Sequence, residues 1–408
     1  MPEQVTSQFD LAAHAPIPFW RDLRVIQIFI QLVFLVGIIA LGYVLINNLL
    51  TNLDESGLTI DYGKLEEPVG TELSEGENPF SSEAQENGQD KPQSGIDALV
   101  QGFKNTLRVV IVGLVGATIL GVLVGIGQLG NNFLIRSVAN VYVEIFRNTP
   151  LLVQLFFIYF GMWFNAVPDV QNSIELPGPI YIHVRGINYP LVQRTDSAWI
   201  LLLGLGLGII IGGALWVWRL RRMDRTGNPA HTLRWSLPAL LICATLGWLA
   251  SGKPFSVELP HLEGFNYVDG SRVTPEYIAI TLGLILYTAA FIADVVRAGI
   301  QAVSHGQIEA ARAQGLTNGQ TLRLVVLPQA LRLIIPPLGN QYLNLAKNSS
   351  LGAAVAFLDV YRTASLVSSQ IDQPIVMFSV MMIIYLTISL TISLIMNLVN
   401  FQMRLRSR

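Results

Sequence analysis

Apolar residues gather along this chain in runs of about twenty, the length a helix needs to cross a bilayer core about 30 Å thick. They fall at 25–46, 106–126, within 138–167, and at 199–218, 235–250, 277–300, within 341–367 and at 376–399. The pattern predicts an all-α polytopic membrane protein with about eight transmembrane helices. The first run, Val25–Ile46, is longer than a secretory h-region of about 7–15 residues, and no small-x-small cleavage site follows it. A retained anchor is therefore expected. Gly121 and Gly125 in the second run form a GxxxG pair, which predicts a closely packed neighbour helix. Asp294 and Arg297 interrupt the end of the sixth run, and the seventh is weak and polar.

The polar segments between the runs set an orientation. Arg21 and Arg24 precede the first run; Arg219, Arg221, Arg222, Arg225 and Arg234 lie between the fourth and fifth; Arg404, Arg406 and Arg408 end the chain. Loops rich in Lys and Arg stay in the cytoplasm. Eight crossings from a cytoplasmic N-terminus put all three groups, and the C-terminus, inside. Thr51–Gly95 then lies outside, with eleven Asp/Glu against Lys64 and Lys91. Such a segment is not expected to order itself by burying apolar surface. It reads either as a solvated linker or as a docking surface for an extracytoplasmic partner.

Composition agrees. The 408 residues are 51% hydrophobic and 13% charged, against about 25% charged in soluble domains. A net charge of −2 gives no electrostatic case for nucleic acid. The single cysteine, Cys243, excludes an internal disulfide. His14, His183, His231, His261 and His305 are scattered outside the long apolar runs, which argues against an intramembrane haem or histidine-bound metal. The Gly-Lys pairs at 63–64 and 252–253 lack the frame of a phosphate-binding loop. With no nucleophile elbow, metal cluster or catalytic carboxylate pair, the chain reads as a non-enzyme.

One segment looks soluble: EAARAQGLTNGQTLRLVVLP, residues 309–328, on the cytoplasmic side. Ser304 and Gln307 fit a capping box, opening a short helix through Glu309, Ala310, Ala311, Arg312 and Ala313. Gly315 is placed to stop it in a left-handed conformation. Thr317 and Gln320 repeat the capping pattern before a second helix. Pro328 is expected to bend or end that helix, and Pro336–Pro337 to break the chain again. The three alanines offer a flat face for a groove on another protein, or the helix is a plain interfacial linker.

Polar residues inside apolar runs are the pathway candidates, because burying them in lipid is costly. The first group is Arg147, Asn148, Thr149 and Gln154, with Glu144 three residues before Arg147. Pro150 frees a nearby carbonyl that Asn148 or Thr149 is placed to satisfy. Alternatively the span begins at Pro150 and Arg147 snorkels to the interface. The second group is Lys347, Asn348, Ser349 and Ser350. It supplies the hydroxyls, amide and charge that a zwitterion needs, or serves as helix–helix glue. Asp294 and Arg297, at i,i+3, read as a structural ion pair.

The spacing Glu309-Ala310-Ala311, three residues, Gly315, nine residues, Val325-x-Leu327-Pro328 resembles the EAA motif of bacterial ABC importer permeases, with Val where that motif has Ile. FRNTPLLVQLFFIYFG from Phe146, YTAAFIADVVRAGI from Tyr287 and KNSSL from Lys347 resemble polar amino acid permeases in the same order. The whole is similar to the large permeases of general L-amino acid uptake systems. The resemblance implies a five-helix permease core plus one N-terminal and two inserted helices. Residues 1–50 would carry the cytoplasmic N-terminus and first helix, 51–95 the acidic loop, and 96–196 the first part of the core. Residues 197–252 would form the inserted pair, and 253–408 the rest of the core with a coupling segment at 304–328. Glu309, Ala310, Ala311, Arg312 and Gly315 would contact a separate ATP-binding cassette subunit. That partner would hold ATP and Mg; this chain would bind no cofactor. The other implied partners are a second permease chain in a heterodimer, an extracytoplasmic amino-acid-binding protein and membrane lipid. The implied setting is the bacterial cytoplasmic membrane. The rival readings are an ion-gradient-driven secondary transporter, which would want inverted repeats and a midplane carboxylate, and a non-transporting membrane scaffold.

Overall fold

A computed structural model describes residues 23–56, 60–69, 93–227, 229 and 231–405. Arg21, Arg406, Arg408 and the centre of the acidic loop, 70–92, lie outside these residues. The chain divides into two units, 1–62 and 63–408. The first contains one long helix, α1 (Leu23–Ser56), whose apolar side chains, the buried Leu53 excepted, are exposed around its circumference. That suits a helix whose solvent is hydrocarbon. Across both units, seven described helices are long and apolar enough to cross a membrane, or eight if one sharply bent pair counts as a span.

The second unit is built on two parallel helices, α2 (Gly95–Leu129) and, far along the chain, Pro275–Gln301. A Ser94–Asp97 capping box starts α2. Its glycines form the seam: Gly116 faces Ile285, Gly121 faces Ile292 and the Ala289 carbonyl, and Gly125 faces Val296 and the Ala293 carbonyl. A Cβ on Gly121 would lie 2.6 Å from that of Ile292, so only a residue without one permits this approach. Next come α3 (Phe133–Asn148) and the helical stretch α4 (Leu151–Ala166), which meet at 107° across Thr149–Pro150. The third apolar run is thus a corner.

Short strands follow, where the sequence reading assigned none. β3 (Ile174–Leu176), β4 (Ile180–His183) and β5 (Gly186–Tyr189) form an antiparallel sheet with the later β10 (Ser271–Val273), in the order β10-β5-β4-β3. The earlier pair, β1 (Pro68–Val69) and β2 (Gln93–Ser94), joins the two ends of the acidic loop. There Leu65 and Val69 are buried in a cluster with Ala98, Leu99, Val360 and Val367. The loop's ends are therefore ordered, against expectation, because two apolar residues suffice where the bundle supplies the other wall.

β6 (Leu191–Arg194) pairs with β7 (Phe255–Glu258) at the base of a helical hairpin, α5 (Ala198–Thr226) and α6 (Thr232–Ser251). Gly204, Gly208 and Gly212 of α5 rest on the backbone of α6 at Cys243, Leu240 and Ser236. Near the tip, the Arg219 guanidinium lies over the Trp235 ring, 4.6 Å from its centroid. β8 (His261–Glu263) and β9 (Asn266–Val268) form a hairpin before β10.

The helix α7 is Pro275–Gln301, and α8 (His305–Ala313) and α9 (Asn318–Thr321) follow. A wide π-turn, Leu322–Val326, leads into α10 (Leu327–Asn348). α10 returns along α7, with Ile334 beside Gly299 and, just past its end, Gly352 beside Ile280. The seventh span is therefore Asn318–Val355, earlier than the 341–367 predicted. Pro336 and Pro337 lie inside α10 without breaking it. Their fixed φ is helical, and the missing donors are tolerated within a packed bundle. Ala356 takes a left-handed turn (φ 64°), and α11 (Val360–Ile371) and α12 (Pro374–Leu405) complete the chain.

Candidate functional site

The EAA segment presents one face to solvent. Ile308 packs on the core cluster and Ala311 is buried, while Glu309, Ala310, Arg312 and Ala313 are exposed. The alanines are thus divided between two faces. Gly315 has φ +84°. Its N–H donates to the Arg312 carbonyl at 2.9 Å, and that of Leu316 donates to the Ala311 carbonyl at 3.2 Å. This is a Schellman stop, which satisfies carbonyls that the helix end orphans. The Thr317–Gln320 capping box forms. Ser304 occupies the N-cap of α8 without a side-chain bond, so the first predicted box is not made. Pro328 lies beside the π-turn, whose wider winding accommodates the donor it lacks.

At the α3–α4 corner, Pro150 has no N–H for the Phe146 carbonyl. Gln154, not Asn148, supplies the replacement: its Nε2 donates to Phe146 O at 2.9 Å and to Thr149 O at 3.0 Å. Thr149 Oγ1 donates back to Ile145 O at 2.8 Å, and Asn148 is exposed. Arg147 pairs with Asp294 of α7 and lies over the Phe291 ring. Arg297 Nη2 reaches the other Asp294 oxygen at 3.2 Å. Asp294 therefore joins two guanidiniums and ties α3 to α7, while Glu144 forms no ion pair among the described residues.

Lys347 and Ser350 lie elsewhere. They line a cavity of about 570 Å³ with Tyr361, Phe378, Met381, Met382 and Tyr385. Ser349 is buried and donates to the Ala346 carbonyl at 2.8 Å, and Asn348 is half-buried. The cavity offers one ammonium and several hydroxyls among apolar and thioether walls, an environment for a small amphipathic solute. The path along α7 from Ile280, level with the end of α10, to Asp294 is roughly 20 Å at 1.5 Å per residue. Arg147 is thus held far along α7, whereas Leu151–Phe156, the start of α4 that carries Gln154, packs against Ser349–Val355.

Sequence reasoning missed Asp359. Its carboxylate is fully buried. Oδ1 accepts the Arg362 N–H at 2.8 Å, capping α11, and Oδ2 accepts the Tyr385 hydroxyl at 3.0 Å. Beside it, Asn105 Nδ2 donates to Leu358 O and the Val360 N–H donates to Thr106 Oγ1, both at 3.0 Å. These bonds tie α2, α11 and α12 behind the cavity. An Asp just before an amphipathic run is a legible N-cap signal; its tertiary partners are not.

Residues 204–405 match the family model described as binding-protein-dependent transport system inner membrane component. The chain is 38% identical over 352 residues to the general L-amino acid transport system permease protein AapQ of Rhizobium johnstonii, spanning 86% of this chain and 85% of that protein. It is 35% identical over 376 residues to the glutamate/glutamine/aspartate/asparagine transport system permease protein BztB of Rhodobacter capsulatus, spanning 83% of each. A crystal structure of an amino acid ABC transporter with histidines aligns at a TM-score of 0.45 and 21% identity, over 75% of this chain and 94% of that one.

Proposed function

Because this chain belongs to the inner-membrane components of binding-protein-dependent transport systems, as a multi-pass permease of the amino acid ABC transporter kind, we propose that it is the translocating subunit of an ATP-driven importer of polar L-amino acids. The exposed face of α8 carries the reading. Glu309, Ala310 and Arg312 stand clear of the bundle, while Ile308 and the buried Ala311 pack the helix onto it. That face docks on a separate ATP-binding cassette subunit, which holds ATP and Mg. Movement of α8 passes through the π-turn into α10 and so to the wall of the Lys347 cavity. A second, related permease chain completes the pathway, and an extracytoplasmic binding protein delivers the amino acid. The names of AapQ and BztB support the substrate class. The N-terminus, the C-terminus and α8 lie on the cytoplasmic side.

The test is uptake by vesicles reconstituted with the whole complex. ATP-driven accumulation of an amino acid is expected. Uptake from a sodium or proton gradient without ATP would favour a secondary transporter, and an assembled complex that takes up nothing would favour a scaffold. Glu309→Lys is expected to abolish copurification of the ATPase subunit or transport, with the chain still inserted. Full ATP-driven transport in that variant would refute the docking role.

A further inference from the structure

A second cavity, of about 450 Å³, lies at the N-terminal end of α7 and contains none of the residues singled out from the sequence. α7 is 27 residues long, so the EAA segment begins about 40 Å away at its other end. Two walls of different origin enclose the cavity. The β4–β5 turn and β10 contribute Arg185 and Arg272, and the first turn of α7 contributes Glu276.

The charges on both walls are held in place. Arg185 Nη1 donates to the Asn266 side-chain oxygen and, at 3.3 Å, to the Phe265 carbonyl. Its backbone N–H donates to Nδ1 of the buried His183 at 3.2 Å. Glu276 accepts the hydroxyl of Tyr159, a buried residue of α4. Arg185 and Glu276 form no ion pair with each other. Opposite charges fixed on facing walls of a cavity this size leave room for a solute that bridges them. The Lys347 cavity, by contrast, offers a cation with no carboxylate in its lining.

We propose that this cavity is an outer capture site for a free α-amino acid, with the carboxylate on Arg185 and Arg272 and the ammonium on Glu276. The site rests on the importer reading and adds a place lined by residues other than those of the Lys347 cavity.

The experiment measures equilibrium binding of radiolabelled L-glutamate to the full permease–ATPase complex in lipid nanodiscs, without binding protein or ATP. Unlabelled glutarate, which lacks the ammonium group, serves as competitor. Wild type is expected to bind saturably and to prefer L-glutamate over glutarate. Arg185→Gln and Arg272→Gln are each expected to weaken L-glutamate at least about tenfold, the effect of losing a charge-assisted hydrogen bond. Arg185→Lys serves if the glutamine variant does not assemble. Glu276→Gln, nearly isosteric, is expected to erase the preference over glutarate, which a merely structural role would not do. Unchanged affinity in the arginine variants, a retained preference in Glu276→Gln, or no binding by a wild-type complex that still imports amino acids with ATP would each overturn the proposal alone. Absence of ATP-driven uptake by wild type would instead overturn the importer reading.

Discussion

Gln154 shows how one side chain decides the fate of a span. Pro150 removes a backbone donor in the middle of an apolar run, and an orphaned carbonyl away from water is costly. Gln154 serves two carbonyls at once, so the chain turns without that penalty. Gln154→Leu keeps the size and removes both bonds. It is expected to destabilise the purified protein by about 1–3 kcal/mol for each carbonyl left unmet, read as a lower thermal midpoint; an unchanged midpoint would show the bonds to be dispensable. His183, in the sheet region, is a second residue-scale test. Its Nδ1 accepts the Arg185 N–H, so the ring is neutral, and Nε2–H donates to Asn188 Oδ1 at 2.8 Å. Burial, reinforced by the nearby Arg272 and Arg185 charges, holds its pKa below the usual histidine value. A depressed histidine pKa means that the unfolded chain binds the proton more readily. The stability it contributes is complete above about pH 6.5 and is lost as pH falls below that. Thermal melts at falling pH are expected to show this decline, with a flatter profile for His183→Asn.

Among elements, the α2–α7 seam carries the tightest geometric demand. Gly121 and Gly125 meet α7 at distances no Cβ tolerates, whereas Gly206 of α5 has nothing within 4 Å of its would-be Cβ. Gly121→Ala is expected to cost about 1–3 kcal/mol through overpacking, seen as reduced yield and an earlier melt. Gly206→Ala is the matched control and is expected to change neither. Equal behaviour of the two would mean that the seam is looser than its distances imply. The same contrast separates two uses of glycine in one protein: Gly315 is needed for a backbone conformation, the seam glycines for an approach.

For the whole molecule, the Arg185–Glu276 cavity and the EAA segment lie at opposite ends of α7, and their sidedness decides whether the arrangement can import. In a Cys243→Ser background, single cysteines at Ala310 and Leu262, both exposed, report the two ends. Intact cells treated with a membrane-impermeant thiol reagent are expected to label Leu262→Cys, and Ala310→Cys only once the membrane is opened. The reverse pattern would invert the proposed orientation.

Hydrophobic length, charge asymmetry and the Glu309–Pro328 spacing are properties of consecutive residues, so the sequence by itself determined the membrane class, the number of apolar runs and the family resemblance. Gly121 and Gly125 were legible for the same reason. Other features depend on residues far apart in the chain. Asp294 meets Arg297 one helical turn away, but its second partner, Arg147, is 147 positions distant. Asp359 reaches Tyr385 across two elements, and Leu65 is buried because α2 and α11 cover it. The strands β3 to β5 are three or four residues long and mix Ile and Tyr with polar residues, too short a signal to stand out beside twenty-residue runs. Arg185 and Glu276, 91 positions apart by subtraction of their numbers, face one cavity only because the sheet folds back onto the start of α7. Local periodicity fixes what solvent a segment prefers; which side chains meet is decided by packing.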